Sequence, residues 1–230
     1  MTPILDIGEM VISTDKTDYL LRPSFSAMTR IGTPRQIVET YTLLNGAETQ
    51  ELINRALLAY GTLPDWLIKL MRKPAFGRNI LSTAMIVIQA CCNDDVEELI
   101  GEWRPGRRGV VYRLGSLPIN DIIVIARELI THGVIGRVKI RKLQRHEGKE
   151  EFSDQFKAIE YINAARAHFN MSRQEAKQLT MTEFQMMLKA KFPDEKGFTR
   201  AEYDAVIDAD DQRTNDLISG KRRLVSMKKQ

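Results

Sequence analysis

Three helix starts written in the same two-residue code lie between His168 and Ile207, and they constrain the fold more than anything else in this chain. Ser172 is followed three positions on by Glu175, Thr180 by Glu183, and Thr199 by Glu202. In such a pair the hydroxyl accepts from an orphan amide of the first turn, and the carboxylate reaches back to the capping residue's own amide. Apolar residues fill the intervals, so the stretch predicts three short helices packed as a compact unit. Nothing in it has the makings of a reaction centre. A well-specified fold without one points to recognition of another macromolecule.

Upstream, Glu9–Ile12 and Tyr19–Leu21 are short apolar-leaning runs separated by a Ser/Thr/Asp-rich stretch, which predicts a small β-hairpin. A lone hairpin is marginal in water, so it must lie on something else. At Thr33 the period becomes helical. Thr33, Pro34 and Gln36 supply a cap, a first-turn proline and the third-position partner. Ile37, Tyr41 and Leu44 share a face before Asn45-Gly46. A second helix carries Leu52, Ile53, Ala56, Leu57 and Tyr60 up to Gly61, and a third follows Pro64 with Trp66, Leu67 and Leu70.

Residues 78–92 read as the main core helix, with Ile80, Leu81, Ala84, Met85, Ile88, Cys91 and Cys92 on one wide stripe. Asp94, Asp95, Glu97 and Glu98 suit the first turn of a short helix ending at Gly101. Arg104–Gly109 reads as a loop and Val110–Leu114 as a strand. The run from Ile122 to Ile130 is apolar nearly all round, which predicts burial on more than one side, with His132 and Gly133 closing the helix. Its position makes His132 a cation at a helix C-terminus. Phe152, Phe156, Ile159, Ile162 and Phe169 predict a long amphipathic helix, and a last acidic helix begins at Arg200.

Between Arg137 and Lys149 stand six basic residues and a single acid, Glu147. Clustered Lys and Arg can neutralise phosphates. This segment has no aromatic residue to stack on a base, and Val138–Arg141 alternates in the manner of a strand with one solvated face. A solvated or partner-contacting face is therefore favoured over nucleic acid. Asp194 to Asp216 holds eight acids and three bases, so the two segments could attract each other across a self-association or an intramolecular interface.

Other chemistries find no support. Cys91 and Cys92 are adjacent, badly placed to bridge each other, and fall on an apolar helical stripe, so they read as buried thiols. No phosphate loop or dinucleotide fingerprint is present. Asp208–Asp211 fails as a calcium loop, because Arg213 stands where glycine is needed and Ser219 where the bidentate glutamate is needed. The three histidines have no i+3 or i+4 partner, and no nucleophile-elbow motif frames a serine. The N-terminus lacks the pattern of a signal peptide, and the apolar runs fall short of the ~20 residues that span a bilayer. The expectation is a soluble, non-enzymatic chain with no metal or cofactor.

The run His168-Phe169-Asn170-Met171-Ser172-Arg173-Gln174-Glu175-Ala176, with Leu179–Phe184 and Ala190-Lys191-Phe192-Pro193, resembles the C-terminal portion of tail assembly chaperones of long-tailed bacteriophages. Leu21–Phe25, with Met28 to Pro34, resembles the start of a related group of tailed-phage proteins. The resemblance implies a chaperone in the host cytoplasm that coats the apolar-striped helices of the tape measure protein and helps to bring in tail-tube subunits. An extended client helix would bury its stripe in a groove between helices. The β-containing N-terminal part is more elaborate than a minimal all-helical chaperone, which leaves a minor structural or tail-completion protein as the alternative. A nucleic-acid-binding regulator using 137–149 is the third.

The expected fold is therefore mainly α, with a bundle-like C-terminal region and a small β-hairpin packed on an N-terminal helical region. The expected divisions are 1–136, a basic connection at 137–150, a helical domain at 151–220 and a basic tail at 221–230. Phe156, Ile159, Phe184, Met187 and Leu188 are the candidate client surface, and they serve equally well as core.

Overall fold

The computed structural model describes residues 3–71, 74–107, 109–138, 154–192, 207, 210–216, 219 and 221. The chain forms two compact units, Met1–Lys191 and Phe192–Gln230. In the second, residues 210–216 are helical and the Ser219 amide donates to the Asn215 carbonyl at 2.9 Å.

The first unit is mainly α, with two small antiparallel sheets among the described residues. A 3-10 turn at Leu5–Ile7 leads into β1 (Met10–Ser13) and β2 (Asp18–Leu21), the hairpin expected from the alternation. Tyr19 and Leu21 turn inward and are buried. Four helices follow: α1 (Phe25–Ile31), α2 (Pro34–Leu44), α3 (Ala47–Tyr60) and α4 (Asp65–Met71). The Thr33 box forms as its spacing dictates, with the Thr33 hydroxyl accepting from the Gln36 amide and the Gln36 side chain accepting from the Thr33 amide.

The core is organised around α5 (Pro74–Cys91) and α7 (Ile119–Ile130), which pack along each other. Ala84, Val87 and Ile88 from one and Ile122, Ala126 and Leu129 from the other are sealed from water. On α7 Ile122, Ala126, Leu129 and Ile130 are buried, while Val124 lies half exposed. Between the two helices the chain makes a short α6 (Glu97–Ile100) and a second hairpin, β3 (Glu102–Gly106) and β4 (Gly109–Arg113). The Asp95 carboxylate accepts from the Glu97 amide at 3.0 Å, the acidic helix start anticipated there. The loop expected at Arg104–Gly109 is a correction: Arg104, Pro105 and Gly106 are β3 residues.

After α7 the helix widens into one π turn, Thr131–Ile135, before Gly136. α8 (Ala158–Phe169), α9 (Arg173–Gln178) and α10 (Met181–Lys191) complete the unit. The long helix expected from Phe152 begins only at Ala158; Phe156 lies ahead of it, its amide donating to the Pro34 carbonyl at 2.9 Å. Phe152, the basic run 139–149 and the Thr199–Glu202 pair lie outside the described residues.

The residues on either side of the basic segment share one core. The Phe25 amide donates to the Leu179 carbonyl at 2.9 Å, and Ser24 and Thr180 form an isolated antiparallel bridge. α8, α9 and α10 close over α1 and the π turn. The expected division at 137–150 therefore does not separate two cores within Met1–Lys191.

Candidate partner-binding surface

The five residues expected to meet a client separate into core and surface. Phe156 and Phe184 are buried, at 4% and 5% exposure, in an aromatic cluster. Phe156 stacks on Tyr161 at 5.3 Å and Tyr161 on Phe25 at 5.7 Å, while Phe184 meets Phe25, Tyr161 and Phe169 edge-on at 6.1 to 6.3 Å. Burial in this cluster raises the Tyr161 phenol above its usual pKa. Met187 and Leu188 are half buried against the same core, and only Ile159 is exposed. Phe156 and Phe184 hold the bundle together and are not free to take up a client.

A run of poorly covered apolar residues lies instead on α3 and α4. Gly46 and Gly61 bound α3, each at positive φ, which ends the neighbouring turns sharply. On the side away from that run Arg55 pairs with Glu51, Gln50 donates to Asn54 at 3.1 Å, and Leu58 stands 88% exposed. The apolar face of α3 carries Leu52, Ile53, Ala56, Leu57 and Tyr60 at helical spacing. Of these only Ala56 is buried; Leu52 and Leu57 remain about two-fifths exposed and Tyr60 is 65% exposed. The chain then presents Leu63 and, on α4, Trp66 at 55% exposure, while Leu67 beside it is fully buried. An amphipathic stripe this poorly covered along consecutive elements is how an interaction surface reads.

Sequence reasoning placed these residues on one helix and assigned them neither to the core nor to a partner. The period marks a face, and only the packing shows how much of it has a neighbour.

An open groove of about 630 Å³ lies between α5 and β3, lined in part by Arg30, Met85, Ile86, Gln89 and Trp103. Arg30 donates to Asn93 at 3.3 Å and Gln89 to the Asp94 carbonyl, while the buried Trp103 Nε1 has no hydrogen-bond partner among the described residues. Cys91 and Cys92 are buried free thiols, as their stripe predicts, and desolvation pushes the Cys91 pKa far above the ordinary thiol range. Among the described residues no group of three or more His, Cys, Asp or Glu is placed to hold a metal ion, and no helix is long and apolar enough to cross a membrane.

His132 corrects its expected role as a helix-terminal cation. The π turn carries it inward to 8% exposure, where its Nδ1 lies 2.8 Å from the Thr182 hydroxyl of α10. Desolvation, helped by the Arg137 guanidinium, lowers its pKa, so it is a neutral core histidine.

Residues 21–205, the span containing all of α1 to α10, match the model of a family of unknown function (DUF6246). No curated protein and no solved structure matches the chain.

Proposed function

We propose that this chain, which belongs to the DUF6246 family of unknown function, is a tail assembly chaperone of a tailed bacteriophage that holds apolar-striped helices of the tape measure protein. The observation that carries the reading is the half-covered face of α3 with its continuation at Trp66. A client helix laid along that face would cover Leu52, Leu57 and Tyr60 in the helix-in-groove manner, while the Glu51–Arg55 face stays in water and keeps the complex dispersed. The likeness of 168–193 to the chaperones supplies the biological setting. Its helix-capping residues build the scaffold, and the client is met elsewhere.

Co-expression tests this. The client to co-express is a very long, helix-rich chain encoded by a neighbouring reading frame. It is expected to be soluble with this protein and insoluble alone, and Leu57→Glu with Tyr60→Glu removes that rescue. Equal solubility with and without the protein sinks the proposal. So does a fixed copy number of this chain in purified particles, which would make it a structural tail component.

A further inference from the structure

The second hairpin has one closed edge and one open one. Pro105 has no N–H, so its pairing with Val110 is one of those that exchange no backbone bonds, and both residues turn their main-chain groups outward. On β3 the proline itself blocks that outward position. On β4 the outward groups of Val110 and Tyr112 are intact, and no backbone hydrogen bond among the described residues reaches either from outside the hairpin. Val110 and Val111 point to opposite faces and are 54% and 59% exposed.

The charge around this edge is lopsided. Four arginines and one glutamate lie in the hairpin from Glu102 to Arg113. Glu102 is shared by Arg104 at 2.5 Å and Arg113 at 3.8 Å, all three on the Val111 face. Glu97 and Glu98 line the cleft at the hairpin's base together with both of these arginines. The excess positive charge therefore lies toward the turn, where Arg107 is exposed and joins no ion pair among the described residues.

We infer that the β4 edge takes an extended acidic segment of another protein as a third strand. The segment's main chain meets the outward groups of Val110 and Tyr112. Its acids fall on the Val111 face and toward Arg107, and an apolar side chain on the other face covers Val110. A second copy of this chain brings the same positive hairpin and is repelled. Nucleic acid has the charge but no strand backbone, and it finds no free ring to stack on. Trp103 and Tyr112 lie 5.3 Å apart against the core, and the Tyr112 hydroxyl donates to the Ile100 carbonyl at 2.5 Å. This edge is separate from the α3 face, and the inference stands whether or not that face binds a client.

Fluorescence anisotropy of the full chain tests it, the probe being a labelled short capped peptide that alternates Glu with Val. This peptide is expected to bind, and the same peptide with Lys for Glu is expected not to. Methylating every backbone nitrogen of the probe removes its N–H groups and keeps its charge, and binding is expected to be lost. Val110→Pro removes an outward N–H without touching the bonds to β3, and Arg107→Glu reverses the charge at the turn. Each is expected to lose the peptide with unchanged helical circular dichroism. Failure of the Glu-Val peptide to bind the wild type overturns the inference. Binding that survives backbone methylation also overturns it, because the contact is then charge alone. Mixed-sequence DNA that binds the wild type and Val110→Pro alike, where the peptide does not bind, overturns it in favour of nucleic acid.

Discussion

His132 Nδ1 and the Thr182 hydroxyl meet at 2.8 Å across fifty residues of sequence, joining the π turn to α10. Thr182 Oγ1 also accepts from the Arg137 amide at 3.2 Å. A neutral ring with bare Nδ1 accepts the hydroxyl proton, whereas one protonated at Nδ1 donates to Oγ1 and the hydroxyl turns to the His132 carbonyl at 3.5 Å. Gly8 closes the site from the other side. It sits at φ 89°, and a Cβ there would lie 2.5 Å from the His132 ring. The first turn, the π turn and α10 are thus fitted around one uncharged ring.

That fit makes stability depend on pH. The folded-state pKa of His132 is lowered below its unfolded value of about 6.5, so the unfolded chain binds the proton more readily. The stabilisation is fully present above pH ~6.5 and is lost as pH falls through the window down to the folded-state pKa. His132→Gln is expected to be less stable near neutrality but flatter between pH 7 and 5, read as chemical-denaturation midpoints across that range. A wild type with no slope in that window would show that the ring is not held neutral.

Phe184 decides between core and client roles for the residues that sequence alone left in both. Its ring contacts Phe25, Tyr161 and Phe169, which come from α1 and α8. Phe184→Ala is expected to cost about 3–5 kcal/mol, the range for a buried phenylalanine that leaves a cavity, and to lower the melting temperature sharply. A variant with an unchanged melting temperature would mean that the ring is not packed.

The helical elements were legible because their start signals are local. The Thr33 and Ser172 boxes need only residues three apart, and both form. Thr180 follows the same spelling with a different outcome. Its hydroxyl caps the Glu183 amide at 3.1 Å, but the Glu183 carboxylate goes to Arg22 at 3.4 Å, and the Thr180 backbone pairs with Ser24. A partner some 160 residues away outcompeted the local bond, and no three-residue pattern records that. The β3 strand was hidden for a similar reason. Proline and glycine spell a loop unless the proline falls at an outward edge position, and that depends on a register fixed only by pairing. The candidate surface was half legible, since α3 announces an apolar face without saying whether anything covers it.

The Ser172 box is one of the two intact ones, and its energetics can be isolated. Ser172 Oγ accepts from the Glu175 amide at 3.2 Å, and the Glu175 carboxylate accepts from the Ser172 amide at 2.9 Å. These bonds lower the Glu175 pKa. The contribution is therefore present above about pH 4.5 and is lost as pH falls through the lowered value, below the window assigned to His132. Ser172→Ala is expected to cost about 1 kcal/mol by thermal unfolding, as the loss of a helix cap does. A neutral result would show that α9 is held by the burial of Ala176 and Leu179 alone.

The exposed face of α3 makes the opposite prediction for stability. Leu57 is about two-fifths exposed and Tyr60 65% exposed, so replacing both by glutamate removes only part of a side chain's burial at each, and changes at exposed sites usually stay within about 0.5 kcal/mol each. The double variant is expected to melt close to the wild type while its apolar surface falls, seen as weaker fluorescence of an added hydrophobic dye. Ala56, one position away and buried against the body of the unit, is the internal control: Ala56→Glu forces a charge into the packed side and is expected to be strongly destabilising. If the Leu57 and Tyr60 variant melts as poorly as Ala56→Glu, the face is already occupied within the chain, and α3 cannot be the surface that receives a partner.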